Sequence, residues 1–222
     1  MINDKAHVPF VQYSARIANE IYDTKDEHLV TDEQTDAEAS VKLERDATYV
    51  VFRGSESRTD WVMNIMFRFR FAQIFPGDTA ARAHSGFVYQ WQGVRKEILA
   101  ILDEHHDKAK PLVLCGHSLG GAVATVASLE LQHAGFQCVL VTFGSPRALN
   151  WYGQQSFERA GIPAYRVTNG ADVVTMVPVF MLYHVGEQIE CNAKPWWYLV
   201  SVVDHSMDCL LYTSDAADDL RG

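Results

Sequence analysis

Apolar residues recur along this chain with two periods, and the changes of period mark out the elements. Between residues 7 and 23, Val8, Val11, Tyr13, Ile17, Ile21 and Tyr22 fall mostly three or four apart, which predicts an amphipathic N-terminal helix. Asp23 to Ala37 is acidic and polar and reads as a loop. Ser40 to Glu44 alternates in strand period, and the β-branched and aromatic run Thr48-Tyr49-Val50-Val51-Phe52 predicts a buried strand. Further on, Trp61, Ile65 and Met66 share one helical face, and Phe67, Phe69 and Phe71 then alternate with Arg68 and Arg70. Ser85 to His105 carries Phe87, Val88, Trp91, Val94, Ile98, Ile101 and Leu102 in the pattern of a long amphipathic helix. Two continuous apolar runs follow, at Leu112 to Cys115 and at Cys138 to Phe143, with an alanine-rich helical run between them. Leu149 to Ala160 predicts another helix and Ala164 to Thr168 another strand, and Leu182 to Gly186 alternates like a strand opening. Continuous apolar strands that alternate with helices describe an α/β fold, a mostly parallel sheet covered on both faces. No repeat interrupts the pattern and no linker divides it.

Composition narrows the function classes. The 222 residues are 48% hydrophobic and 21% charged, enough for one substantial core. A net charge of −9 argues against a nucleic-acid partner, which needs a basic face, and against electrostatic binding to anionic membranes. The polar start Met1-Ile2-Asn3-Asp4-Lys5 lacks the apolar core of a signal peptide. The longest uncharged apolar stretches, Val173 to Val185 and Trp196 to Val203, are too short to span a bilayer. The expectation is a soluble protein, cytoplasmic or secreted with its leader absent from this chain. Cys115 and Cys138 lie inside apolar runs and read as small buried hydrophobes, and nothing forces Cys191 and Cys209 to pair. The cysteine spacing matches no zinc motif, so neither a metal nor a cofactor is implied.

The chemistry centres on Gly116-His117-Ser118-Leu119-Gly120, which fits the G-x-S-x-G nucleophile elbow. An apolar strand precedes it and an alanine-rich helix follows, the context this motif needs. Without a Cβ at 116 and 120, strand and helix can approach closely while the serine holds an unfavourable backbone conformation. The simpler alternative is a glycine-rich helix start capped by Ser118. A serine hydroxyl becomes nucleophilic when an imidazole takes its proton and a carboxylate orients that imidazole. Asp172, after Asn169-Gly170-Ala171, falls where a strand's carboxyl end gives way to a loop, the place where open α/β sheets form their sites. An aspartate after Asn-Gly also serves as a turn cap. Of the two histidines in range, His205 stands where an apolar run turns polar and suits a mobile base, whereas His184 reads as structural. Arg53-Gly54-Ser55, leaving the strand at 48–52, is either a tight turn or the second donor of an oxyanion hole opposite the Leu119 N–H. The presence of Ser118 favours the second reading. Residues 56–67 read equally as a mobile lid or as a short core helix.

Taken together, these pieces resemble the class 3 lipases of the α/β-hydrolase fold, the group that includes the fungal triacylglycerol lipases. The matching stretches run in order from Phe52-Arg53-Gly54-Ser55 and Asp60-Trp61 through His84-Ser85-Gly86-Phe87 to the elbow. They continue with Thr142-Phe143-Gly144-Ser145-Pro146-Arg147, Asp172, Tyr183-His184-Val185-Gly186 and Asp204-His205-Ser206-Met207. The resemblance implies Ser118 as nucleophile, Asp172 as orienter, His205 as base and then acid, and an oxyanion hole at Ser55 and Leu119. It places a lid from Glu56 and leaves His184 without a catalytic role. Trp61, Ile65, Met66 and His117 are the expected substrate contacts, and the expected substrate is a lipid ester met at an interface, with transient contact to a membrane surface. A phospholipase A1, a feruloyl-type esterase and a silent lipid- or partner-binding relative are the competing readings. After His205 the chain leaves the family pattern: Leu210 stands where a tyrosine is expected, and the sequence to Leu220 looks like translated adapter. Residues 1–208 are therefore read as one hydrolase domain, and 209–222 as a non-native or disordered tail.

Overall fold

The computed structural model of the chain describes residues 8–22, 28–54, 70–178 and 181–191. In chain order its elements are α1 (Val8–Glu20), β1 (Leu29–Asp32), β2 (Ala37–Leu43), β3 (Thr48–Phe52), β4 (Phe71–Gln73) and β5 (Arg82–His84). Then come α2 (Ser85–His105), β6 (Leu112–His117), α3 (Leu119–His133), β7 (Cys138–Phe143), α4 (Trp151–Ala160), β8 (Ala164–Asn169), a 3₁₀ turn (Val174–Met176) and β9 (Glu187–Cys191). A seven-stranded sheet runs in the order β1-β2-β3-β6-β7-β8-β9, and β4 and β5 form a separate hairpin. The first three strands pair antiparallel, and every pairing from β3 to β9 is parallel.

The continuous apolar runs are explained by what covers them. Successive side chains of a strand point to opposite faces, so a strand buried on both must be apolar throughout. Val50, Phe52, Leu112, Leu114 and Leu140 face one core together with residues of α2, α3 and α4. Tyr49, Val51, Val113, Cys115, Val141, Phe143 and Val167 face the other, against Val11, Ala15, Ile17, Ala18 and Ile21 at the end of the chain that forms α1. Helix α2 buries Phe87, Val88, Trp91, Val94, Ile98 and Leu102. At about 1.5–3 kcal/mol for each large side chain, that face outweighs any difference in helix propensity. The indole N–H of Trp91 and the guanidinium of Arg95 both donate to the Glu130 carboxylate, tying α2 to α3.

Several predicted boundaries move, β2 among them, which runs from Ala37 to Leu43 and not from Ser40 to Glu44. Residues 29–32, read as part of a loop, form β1, which pairs with β2 from Leu29↔Ser40 to Asp32↔Ala37. Only Val30 is buried in this strand, and its apolar signal is the pair Leu29-Val30 inside an acidic stretch. Helix α4 starts at Trp151, because the Asn150 carboxamide accepts the Gly153 N–H at 2.7 Å and caps it. The strand that Leu182 to Gly186 seemed to open begins only at Glu187. Phe71 opens β4, half-buried, while Phe67 and Phe69 lie outside the described residues.

The parallel register lines up the carboxyl ends of β3, β6, β7 and β8. Phe52 stands beside Gly116, His117 beside Phe143, and Phe143 beside Val167. Open α/β sheets place their sites beyond these ends.

Candidate active site

Ser118 stands between the last residue of β6 and the first of α3 with φ 58° and ψ −126°. A serine there is strained by about 1–3 kcal/mol and persists only where its surroundings over-determine the turn. They do so from both sides. Its N–H donates to the Phe143 carbonyl at 2.9 Å, and its carbonyl accepts the Gly121 N–H at 3.0 Å. Its side chain makes no capping hydrogen bond to α3, which removes the reading of Ser118 as a simple cap. Helix α3 is buried from Leu119 to Leu131, and its first turn meets the sheet against bare backbone. A Cβ on Gly120 would strike the Phe52 carbonyl, and one on Gly116 would lie 2.5 Å from the Gly120 carbonyl carbon. Strand β3, strand β6 and helix α3 meet at these two glycines. Leu119 is the first residue of α3, and its N–H belongs to the first turn, which no helical carbonyl can satisfy.

The chain that leaves β3 passes directly by the elbow. A Cβ on Gly54 would lie 2.8 Å from the His117 carbonyl oxygen, 3.4 Å from Ser118 Cβ and 2.6 Å from the Tyr22 hydroxyl. That hydroxyl accepts the Gly54 N–H at 3.0 Å. The Arg53 guanidinium lies over the Tyr22 ring at 5.3 Å and donates to Glu38 at 2.8 Å. Tyr22, just past the end of α1, thereby fixes the backbone immediately before Ser55. Periodicity counts Tyr22 merely as one more apolar position of α1. The informative part is its hydroxyl, which leaves no pattern in sequence.

Asp172 is 2% exposed in the loop after β8. Its carboxylate accepts the Val174 N–H at 2.9 Å, so the turn-capping role is real and holds the side chain in place. The Thr175 hydroxyl donates to the Asp172 carbonyl at 2.8 Å, and His184 Nε2 lies 2.7 Å from the Thr175 carbonyl. An acceptor there requires the proton on Nε2. Burial, with Arg166 and Arg147 nearby, pushes the His184 pKa down to about 4, so the ring stays neutral while it braces the loop. The Gln154 carboxamide in turn donates to the His184 carbonyl at 3.1 Å.

Ser118, Leu119 and Asp172 thus stand at the carboxyl-end rim of one sheet. His117 is buried, and by the pleat of β6 it shares the α1 face with Val113 and Cys115. Ser55, Trp61, Ile65, Met66 and His205 lie outside the described residues, as do the segments 56–67 and 209–222. Burial pushes the thiols of Cys115 and Cys138 up to about 12, which makes them inert core groups, and Cys191 is half-buried. Among the described residues, no group of three or more His, Cys, Asp or Glu side chains could hold a metal ion. Nor is any described helix long and apolar enough to cross a membrane.

Comparison with known proteins agrees with this geometry. The family described as Lipase (class 3) matches residues 49–182. A secreted mono- and diacylglycerol lipase 1 of Fusarium solani is 34% identical over 151 residues, covering 66% of this chain and 44% of the relative. The chloroplastic phospholipase A(1) DAD1 of Arabidopsis thaliana is 29% identical over 167 residues, 66% of this chain and 37% of its own length. This chain therefore spans less than half the length of either relative. The crystal structure of a lipase from Rhizopus microsporus var. chinensis superposes with a TM-score of 0.79 at 21% identity, covering 91% of this chain and 86% of that one. The chain belongs to the class 3 lipase family and has its α/β-hydrolase fold.

Proposed function

We propose that the chain hydrolyses carboxylic esters of lipids through an acyl-enzyme formed on Ser118. The observation that carries this reading is the elbow: a serine at φ 58° over the start of a buried helix, with Asp172 fixed at the same end of the sheet. In the proposed reaction Ser118 Oγ attacks the ester carbonyl while His205 takes its proton and Asp172 orients the imidazole. The oxyanion rests on the N–H groups of Leu119 and Ser55, a role for Ser55 supported by the hold of Tyr22 on the preceding Gly54. His205 then protonates the leaving alkoxide, and water releases the acid by the same steps in reverse. No metal or cofactor enters.

Residues 56–67 are proposed as the lid, supported by where the chain departs and returns. It leaves from Gly54 beside Ser118, and it rejoins at Arg70, whose carbonyl accepts the Ser85 N–H at 2.8 Å. Trp61, Ile65, Met66 and His117 are proposed as substrate contacts. Acylglycerols are the favoured substrates, and the relatives named phospholipases A1 make phospholipids the second choice. A panel of p-nitrophenyl esters from acetate to palmitate, followed by triacylglycerol and phosphatidylcholine, tests the reading. Turnover that favours long chains and rises at a lipid interface is the expected result. Preference for acetate without interfacial gain would make the protein a soluble esterase instead.

A further inference from the structure

Large apolar side chains that remain exposed are few among the described residues, and they are not scattered. Of seven, Leu43 and Tyr89 lie apart, whereas Trp151, Tyr152, Met176, Met181 and Tyr183 gather along two adjoining segments, each 42–62% exposed. Those segments are paired. Leu149 and Tyr183 exchange backbone hydrogen bonds, the Tyr183 N–H reaching the Leu149 carbonyl at 2.7 Å, and the Arg147 N–H donates to the Val177 carbonyl at 2.9 Å. Gln154, one turn on from Trp151 in α4, donates to the His184 carbonyl at 3.1 Å and holds the start of that helix against the same segment. The Trp151 and Tyr152 rings meet edge to face at 5.1 Å, and His184, next to Tyr183, bonds Thr175, next to Met176. The five residues form one strip.

Its position follows from topology. Helix α4 must run from the carboxyl end of β7 back to the amino end of β8, because those strands are parallel neighbours. Its first residues, Trp151 and Tyr152, therefore sit at the end of the sheet that carries Ser118. Met176 follows Asp172 by four residues at that same end. The strip is unlike the rest of the surface in charge as well. In a chain of net charge −9, Val173 to Gly186 contains no acid and no lysine or arginine. Its flanks carry Arg82 and Arg147, together with Asp78, whose carboxylate is occupied by the N–H groups of Ala80 and Ala81.

The geometry points to this strip as a docking surface for an uncharged, zwitterionic lipid surface, built from residues other than those proposed as the lid. It rests on the proposed lipid-ester reading, since an ester held in a lipid surface must approach the end of the sheet where the strip lies. Trp and Tyr pair an apolar ring with a polar handle and favour the headgroup level of a membrane. Methionine conforms to irregular apolar surroundings. An exposed group of this kind rimmed by polar residues marks an interaction surface.

The test is flotation with phosphatidylcholine vesicles, carried out in a Ser118→Ala background so that the vesicles stay intact. The triple variant Trp151→Ser, Tyr152→Ser, Met181→Ser should lose at least tenfold in vesicle partitioning. In the active background it should hydrolyse soluble p-nitrophenyl acetate within about twofold of the parent, which also shows that it folds. Equal flotation of parent and variant, or no flotation of the parent, overturns the docking surface. So does sedimentation showing that the strip instead joins two copies of the chain. The acetate assay reads the ester-hydrolase proposal separately, so either idea can fail alone.

Discussion

Tyr22 and His184 never touch the ester in the proposed reaction, yet each braces a loop that the reaction uses, Tyr22 the one entering Ser55 and His184 the one carrying Asp172. Replacing Tyr22 with Phe keeps the ring under Arg53 and removes the hydroxyl that accepts the Gly54 N–H. One hydrogen bond of about 0.5–1.5 kcal/mol, expressed in the oxyanion contact, corresponds to a kcat lowered roughly 3–10-fold with KM little changed. Steady-state kinetics on a soluble ester check this; a change confined to KM would place Tyr22 in substrate binding instead. His184 gives a pH signature. Its folded pKa of about 4 lies below the free value of 6.5, so the unfolded chain binds the extra proton between those values. Stability from the neutral ring is complete above pH 6.5 and drains away as pH falls toward 4, by on the order of 3 kcal/mol. His184→Gln can still donate to the Thr175 carbonyl but does not titrate. The stability gap between parent and variant should therefore narrow in denaturant melts from pH 7.5 to 4.5, and a constant gap would contradict the assignment. Ser118 was legible as a candidate from its glycine-flanked pattern, and Asp172 from its place in the loop after a predicted strand. Tyr22 and His184 act through contacts 32 and 9 residues away, which no local pattern records.

At the scale of elements, the elbow depends on backbone meeting backbone. Gly120→Ala would drive a Cβ into the Phe52 carbonyl, a collision that neither a rotamer change nor a flexible side chain can relieve. A loss of about 3 kcal/mol is expected, at the upper end of what overpacking usually costs, together with lost activity because α3 shifts under Ser118. Chemical denaturation measures the first and ester hydrolysis the second; a stable, active variant would mean that the strand and helix can part. The strands buried on both faces could be read from their unbroken apolar runs, and α2 from its period. Strand β1 could not, since an edge strand with one buried residue is specified by its partner β2 rather than by its own side chains. The start of α4 was misplaced for a different reason: Leu149 is apolar and buried, but it belongs to the bridge with Tyr183, and the cap at Asn150 sets the helix start.

Over the whole molecule, the two cores clamp the sheet so that β3, β6, β7 and β8 end at one level. Alternation of strand and helix was enough to predict that layering, and the family likeness extended it to the α/β-hydrolase fold. What periodicity could not supply is how loops from distant positions meet at the rim: Gly54 on Ser118, Arg147 on Val177, and His184 on Thr175. These are products of the assembled sheet. The central claim is that the assembled rim makes Ser118 a nucleophile. The most direct measurement is the intact mass of the full chain after treatment with a lipid-like alkyl fluorophosphonate at pH 7.5. The account predicts one adduct, located on Ser118, complete within minutes and absent from a folded Ser118→Ala variant. A chain that stays unlabelled, or that is labelled equally with and without Ser118, would contradict it.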